Sequence, residues 1–313
     1  MFAYAVRRIV ATIPVMAVVA LFVFSLLYIA PGDPAAIIAG DQATPADIAR
    51  IRLSLGLDQP FVIRFGDWVW RVLRGDLGTS IFTSLPVTKM IAQRIEPTLS
   101  LMVLTLVFSI VIAVPMGVVA AWKHGGWIDR IVMVLAVAGF SIPVFVVGYL
   151  LAWGFALKLD WLPVQGYTPI ADGLRPWLAN LALPAVTLGS AYIALIARIT
   201  RATMMEVLNQ DYVRTAKSKG VGQLAILFEH ALKNAAVPIV TVIGLGIAGL
   251  IGGAVVTESV FAIPGVGRLV VDAILRRDYP VIQGVVLLFS FIYVLVNLGV
   301  DLLYTVFDPR IRY

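Results

Sequence analysis

The sequence predicts an all-α integral membrane protein with six transmembrane helices, and three observations carry that expectation. Apolar residues make up 60% of the 313 positions, charged residues only 13%, and mean hydropathy is +0.96. That is too apolar for a water-soluble domain. Six apolar segments reach the roughly 20 residues that a helix needs to cross the hydrocarbon core. Finally, Lys and Arg in the short loops between them fall mostly on one side.

Taken in order, the segments are 9–30, 99–121, 131–157, 181–197, 237–256 and 281–306. The first follows Arg7 and Arg8 as a secretory signal would, but its apolar core outruns a signal h-region, so it is read as a retained anchor. One side of the short loops collects twelve bases: Arg7, Arg8, Lys123, Arg130, Arg198, Arg201, Arg214, Lys217, Lys219, Lys233, Arg310 and Arg312. The other side collects five: Lys158, Arg175, Arg268, Arg276 and Arg277. By the positive-inside rule both termini are expected in the cytoplasm, in agreement with an even number of spans. The long loop 31–98 is left out of the count because long loops cross regardless of charge. It mixes acids and bases evenly and places Ile48, Ile51 and Leu55, then Trp68, Val69 and Val72, at helical spacing, which predicts a small, partly helical external cap.

Between the fourth and fifth segments lies a basic stretch, DYVRTAKSKGVGQLAILFEHALKNAAVP (211–238). Asp211 is placed to cap a helix of about two turns over 212–219. Gly220 stands where a left-handed residue would end it, and Lys217 and Lys219 in the last turn favour the helix dipole. An ordinary topogenic loop needs neither start nor stop, so the segment reads as a short docking helix. The fifth segment carries Gly244, Gly246, Gly249, Gly252 and Gly253. Such a face is poorly used against lipid and predicts either close helix packing or a lining for a substrate path.

Several chemistries are excluded. Cys is absent, which removes disulfides and thiolate sites. The pI near 9.6 is explained by the inside loops and not by a nucleic-acid groove. GVGR (265–268) lacks the Gly-Lys-Ser/Thr ending, and no Walker sequence occurs, so nucleotide must bind elsewhere. His124 and His230 are far apart in inside loops and form neither metal site nor acid–base pair. Within the spans, Glu258 and Asp301 lie toward the ends, while Tyr192, Ser190, Thr241 and Asn297 are expected to hydrogen-bond between helices. A proton- or sodium-coupled secondary transporter would want a carboxylate or His near the midplane, which disfavours that alternative, while a channel would be told apart by uptake that needs no ATP.

Segment 211–238 resembles the coupling loop of ABC-importer permeases in the form used by the dipeptide/oligopeptide/nickel permease family. The general signature runs Glu-Ala-Ala, three residues, Gly, nine residues, Ile-x-Leu-Pro; here Arg214-Thr215-Ala216 precedes Gly220 and Pro238 follows a longer spacer. The same family is resembled by FAYAVRRI (2–9), PGDPA (31–35), LGLDQP (55–60), GDLGTS (75–80), IEPTLSL (95–101), ESVFAIPGVGRL (258–269) and DLLYTVFDPRIRY (301–313). The order of these elements covers essentially the whole chain. The resemblance implies a type I ABC importer permease fold, with an anchor and external loop at 1–94, the importer transmembrane domain at 95–304 and a cytoplasmic tail at 305–313. It implies a non-catalytic subunit without cofactors, carrying peptides or related solutes such as glutathione or a nickel complex across a bacterial inner membrane. Its implied partners are a second homologous permease, two cytoplasmic ATP-binding subunits, an extracytoplasmic solute-binding protein and membrane lipid, with no nucleic acid. The ATPase-coupling residues would be Asp211, Tyr212, Arg214, Thr215, Ala216, Lys217, Ser218, Lys219 and Gly220. Gly244, Gly246, Gly249, Gly253 and Glu258 are expected to serve packing or the pathway.

The charge asymmetry predicts that a Cys introduced at Asp47 reacts with an impermeant maleimide before the membrane is permeabilised, whereas one in the 123–130 loop reacts only afterwards. The opposite pattern would reverse the topology, and no native Cys interferes.

Overall fold

The structure, a computed structural model, describes residues 2–29, 34–39, 44–54 and 57–307. Fourteen helices run along the chain among the described residues: α1 Phe2–Ile29, α2 Pro34–Ala39, α3 Pro45–Ser54, α4 Phe61–Leu73, α5 Val87–Ala92, α6 Ile95–Trp122, α7 Trp127–Ser141, α8 Val144–Leu151, α9 Leu174–Leu208, α10 Asp211–Ser218, α11 Gln223–Ala225, α12 Lys233–Val260, α13 Val266–Arg276 and α14 Tyr279–Phe307. Two π-helical turns, Ala152–Lys158 and Ile226–Leu232, continue α8 and α11. The only extended pairing among these residues is a single bridge from Thr79 to Pro86. Among the described residues, five helical stretches are long and apolar enough to cross a membrane, and a bent pair brings the number to six when counted as one span.

That bent pair corrects one expectation. The sequence reading took 131–157 as a continuous span, but α7 and α8 meet at 107°. Pro143 has no N–H to continue the ladder, and it pushes the preceding residue out of the helical region. Ile142 accordingly adopts φ −91° and ψ 124°, its N–H still bonded to the Ala138 carbonyl at 3.1 Å.

The chain forms two compact units. One comprises 1–5, 95–268 and 295–313, the other 6–94 and 269–294. In the first, α9 is the central element and packs against α6, α7, α8 and α12. Lipid supplies no hydrophobic drive between spans, so small residues that let backbones approach decide the packing. Gly117 of α6 faces Thr200 and the Ala197 carbonyl of α9, and Gly189 of α9 faces Ser109 of α6. At 35 residues, α9 outruns the apolar segment 181–197 at both ends and is roughly 50 Å long.

The second unit contains the loop between the first two spans, which is partly helical as its spacing predicts. Trp68 of α4 is buried with Val23 and Phe24 of α1 and Leu287 of α14, and Val69 and Val72 pack on the same cluster. The rings of Phe61, Phe65 and Trp68 all lie 5.3–5.5 Å from that of Phe24. Of the GDLGTS stretch, Gly75 and Gly78 take positive φ in the turn, and Ser80 Oγ donates to Asp278 at 2.5 Å. Residues 31–33 of PGDPA, Leu55 and Gly56 of LGLDQP, and the tail 308–313 lie outside the described residues, as do the side chains of Ile51 and Asp301.

Candidate functional site

Helix α10 spans Asp211–Ser218 and is built to stop. Lys219 is its C-cap, and Gly220 follows at φ +78°, a conformation that strains any residue with a Cβ. The Gly220 N–H donates to the Lys217 carbonyl at 3.0 Å and the Val221 N–H to the Ala216 carbonyl at 3.2 Å. Those two bonds form a Schellman motif that satisfies the terminal carbonyls. The start differs from expectation. Gln210, extended at ψ 149°, is the cap residue and makes no side-chain cap bond, while Asp211 is the first helical residue. Its carboxylate therefore acts on the helix dipole and not as an N-cap acceptor.

Val213 is the one fully buried side chain of α10, with Ala216 half-buried one turn later. Asp211, Tyr212, Arg214, Thr215, Lys217, Ser218, Lys219 and Gly220 are exposed. Thr215 and Ser218 return their hydroxyls to the carbonyls of Asp211 and Arg214 at 3.0 and 3.1 Å, leaving a basic outward face. The Tyr212 hydroxyl reaches the His230 carbonyl at 3.4 Å and ties α10 to the π turn that follows. Beneath this turn, Val118 and Ala121 of α6, Met204 of α9, Leu227 and Ala231, and Ala235 and Ile239 of α12 form one buried cluster. The π turn on which α10 packs is thus embedded among three spans that are packed together.

The fifth-span glycines lie at close approaches. A Cβ on Gly246 would sit 2.5 Å from Tyr192 Cε1, one on Gly249 2.6 Å from the Tyr192 oxygen, and one on Gly253 2.5 Å from Leu188 Cδ1, all on α9. Gly244 meets Val300 of α14 in the same way, whereas Gly252 faces open space. The Tyr192 hydroxyl donates to the Gly246 carbonyl across the two helices. Two other polar groups depart from the expected interhelical bonding: Ser190 donates to Thr187 and Thr241 to Val237 within their own helices, at 2.9 and 2.7 Å.

Glu258 ends α12 fully buried. Its Oε1 accepts from Thr98 Oγ1 at 2.6 Å, and its Oε2 accepts from the Arg268 N–H at 2.9 Å. Thr98 Oγ1 in turn accepts from the Val266 N–H at 2.8 Å. One carboxylate and one hydroxyl therefore satisfy two of the first-turn donors of α13, where negative charge also suits the dipole. A Cβ at Gly265 would enter the Glu258 carboxylate, and one at Gly267 would strike the Val255 Cα at 2.7 Å and Glu258 Oε2 at 2.9 Å. Sequence reasoning placed Glu258 at a span end but gave no sign of this node, since Thr98 is 160 residues away.

A second polar cluster was also missed. Asp129, buried in the first turn of α7, receives Arg201 Nη2 at 2.8 Å and the Gly125 N–H at 3.0 Å, and pairs with Arg201 Nε. His124 Nδ1 lies 3.2 Å from both partners. Arg201, counted among the inside bases, thus has a structural role holding α9 to the start of α7.

Comparison with known proteins bears on the whole chain. Residues 113–313 match the family described as binding-protein-dependent transport system inner membrane component, and residues 1–102 match its N-terminal membrane component. A probable peptide ABC transporter permease of Sinorhizobium fredii is 56% identical over 310 residues, 99% of both chains. The dipeptide transport permease DppB of Alkalihalophilus pseudofirmus is 41% identical with 100% of both chains covered, and the glutathione permease GsiC of Salmonella choleraesuis 43% with 99% of both. Among solved structures, the inward-facing MetNI methionine ABC transporter shares the fold, with a TM-score of 0.59 at 17% identity over 70% of this chain and 96% of that one.

The glycine contacts predict opposite outcomes at neighbouring positions. Gly246→Val overpacks against Tyr192 and should destabilise the protein by about 1–3 kcal/mol, lowering its melting midpoint in detergent. Gly252→Ala, with no neighbour to strike and a better helix former, should leave the midpoint unchanged or raise it. Equal effects at both sites would mean that the Tyr192 contact does not limit packing.

Proposed function

The chain belongs to the family of binding-protein-dependent transport system inner membrane components, and from that premise we propose that α10 is the element through which an ATPase drives it. The observation that carries the proposal is the construction of α10. It is a two-turn helix with a basic exposed face, an enforced stop at Gly220 and a buried foot at Val213. The segment holds no Walker sequence and no nucleotide-binding loop, so hydrolysis belongs to partner subunits. Closure of those partners would push on Asp211–Ser218 and its cap Lys219–Gly220, and the packed spans below would turn the push into alternating access. The subunit moves its cargo chemically unchanged.

The fuller assembly is a second homologous permease forming a heterodimer with this one, two cytoplasmic ATP-binding subunits and an extracytoplasmic solute-binding protein. Each permease supplies six spans and half of the pathway, with both termini in the cytoplasm of a bacterial inner membrane. The division into an anchor and external loop at 1–94, a transmembrane domain at 95–304 and a tail at 305–313 belongs to the same reading. Peptides are the proposed cargo, supported by relatives named for peptide, dipeptide and glutathione transport. Gly244, Gly246, Gly249 and Gly253 act in packing, supported by their close approaches to α9 and α14. Glu258 acts beside them by fixing the start of α13 to the end of α12.

Cys introduced at Thr215 or Ser218 should crosslink to the ATP-binding subunit of the assembled transporter, with a yield that changes when a non-hydrolysable nucleotide is added. Crosslinks only to the other permease would remove the coupling role. The purified chain alone should neither bind nor hydrolyse ATP.

Gly220→Val forces a β-branched side chain into positive φ, a strain of about 1–3 kcal/mol at the docking surface. Membrane insertion should persist while substrate-stimulated ATPase activity falls. Wild-type transport by this variant would show that the left-handed stop is dispensable.

A further inference from the structure

Helix α4 carries two adjacent apolar arcs, with its charged residues on the remaining side. One side packs through Phe61, Phe65, Trp68, Val69 and Val72. The other presents Val62, Ile63, Trp70 and Leu73, which are 54–77% exposed. At about 100° per residue, Val62, Leu73, Gly66, Trp70 and Ile63 fall in one continuous arc, with Asp67 at its edge and Arg71 and Arg64 beyond it. A helix face turned to water would carry its polar residues in that arc, and this one carries none. Arg74, just past the helix end, lays its guanidinium 4.6 Å from the centre of the Trp70 ring.

The level at which α4 sits identifies what covers this face. Its ring contacts on α1 are Phe24 and Tyr28, five residues and one residue before the last residue, Ile29. Gln283, four residues into α14, donates to the Val23 carbonyl at 3.4 Å, so the same level lies near the end of that span too. At 1.5 Å per residue the contact is within roughly 8 Å of the ends of both spanning helices, the depth of the headgroup–acyl boundary. Neighbouring positions of α1, Val18, Phe22 and Ile29, are themselves exposed and apolar, which makes the free arc of α4 continuous with a lipid-facing span. Tryptophan with flanking arginine is the composition that partitions to this boundary.

We infer that α4 is an interfacial helix whose free face, Val62, Ile63, Gly66, Trp70 and Leu73, lies in phospholipid at the Ile29 end of α1. It braces the first span against the bilayer surface through Phe24 and Trp68, and its partner is lipid and not a protein.

Single-Cys variants Gly66→Cys, Leu73→Cys and Asp67→Cys, spin-labelled in the assembled transporter reconstituted in phosphatidylethanolamine–phosphatidylglycerol vesicles, test this directly. Labels at 66 and 73 should collide several-fold more with oxygen than with a water-soluble nickel chelate, and the label at 67 should show the smaller ratio of an edge position. Nickel accessibility at 66 and 73 equal to that of a water-exposed loop would overturn the inference. Low accessibility to both reagents would overturn it as well, because a protein would then cover the face.

Discussion

A backbone in hydrocarbon has no water to bond with, and everything else in this structure depends on that constraint. It is why the spans are helices, and why breaks in them gather compensating bonds. Where the chain turns after α12, the N–H groups of Phe261 and Ile263 return to the carbonyls of Thr257 and Glu258 at 3.0 and 2.9 Å. The first donors of α13 are then taken up by Thr98 and Glu258. A buried carboxylate is costly unless it is fully bonded, so the node is tight, and the glycines at 265 and 267 follow from it.

The same solvent also removes the ordinary reason for helices to associate. Contact must come from close fit, and α9 achieves it with Gly189, Ala197 and Thr200 against Ser109 and Gly117 of α6 and with Tyr192 and Leu188 against the glycines of α12. One long helix thus gathers α6, α7, α8 and α12 around itself. Beyond its end, the basic helix α10 packs on the π turn Ile226–Leu232, whose Leu227 and Ala231 share a buried cluster with residues of α6, α9 and α12.

Much of this was legible in order of residues. The apolar lengths and loop charges give an all-helical chain with six crossings, and the spacing of Trp68, Val69 and Val72 gives α4 its packed side. Gly220 was legible because positive φ selects glycine strongly. The start of α10 was not: acidic residues suit both the cap and the first turn, so Asp211 is ambiguous by one residue. The break at Pro143 is similar. Proline marks the place in the sequence, but a kink and a 107° reversal differ only in what the neighbouring helices can accept.

By itself, the sequence determined the helical class, the six apolar segments and the stop of α10, because each follows from solvent transfer or from the backbone of a single residue. The tertiary structure alone decided that α7 and α8 form a bent pair, that Glu258 meets Thr98 and the start of α13, and that Arg201 serves Asp129 as well as the charge balance. Those outcomes pair residues up to 160 positions apart, and only the packed chain brings their donors and acceptors within bonding distance.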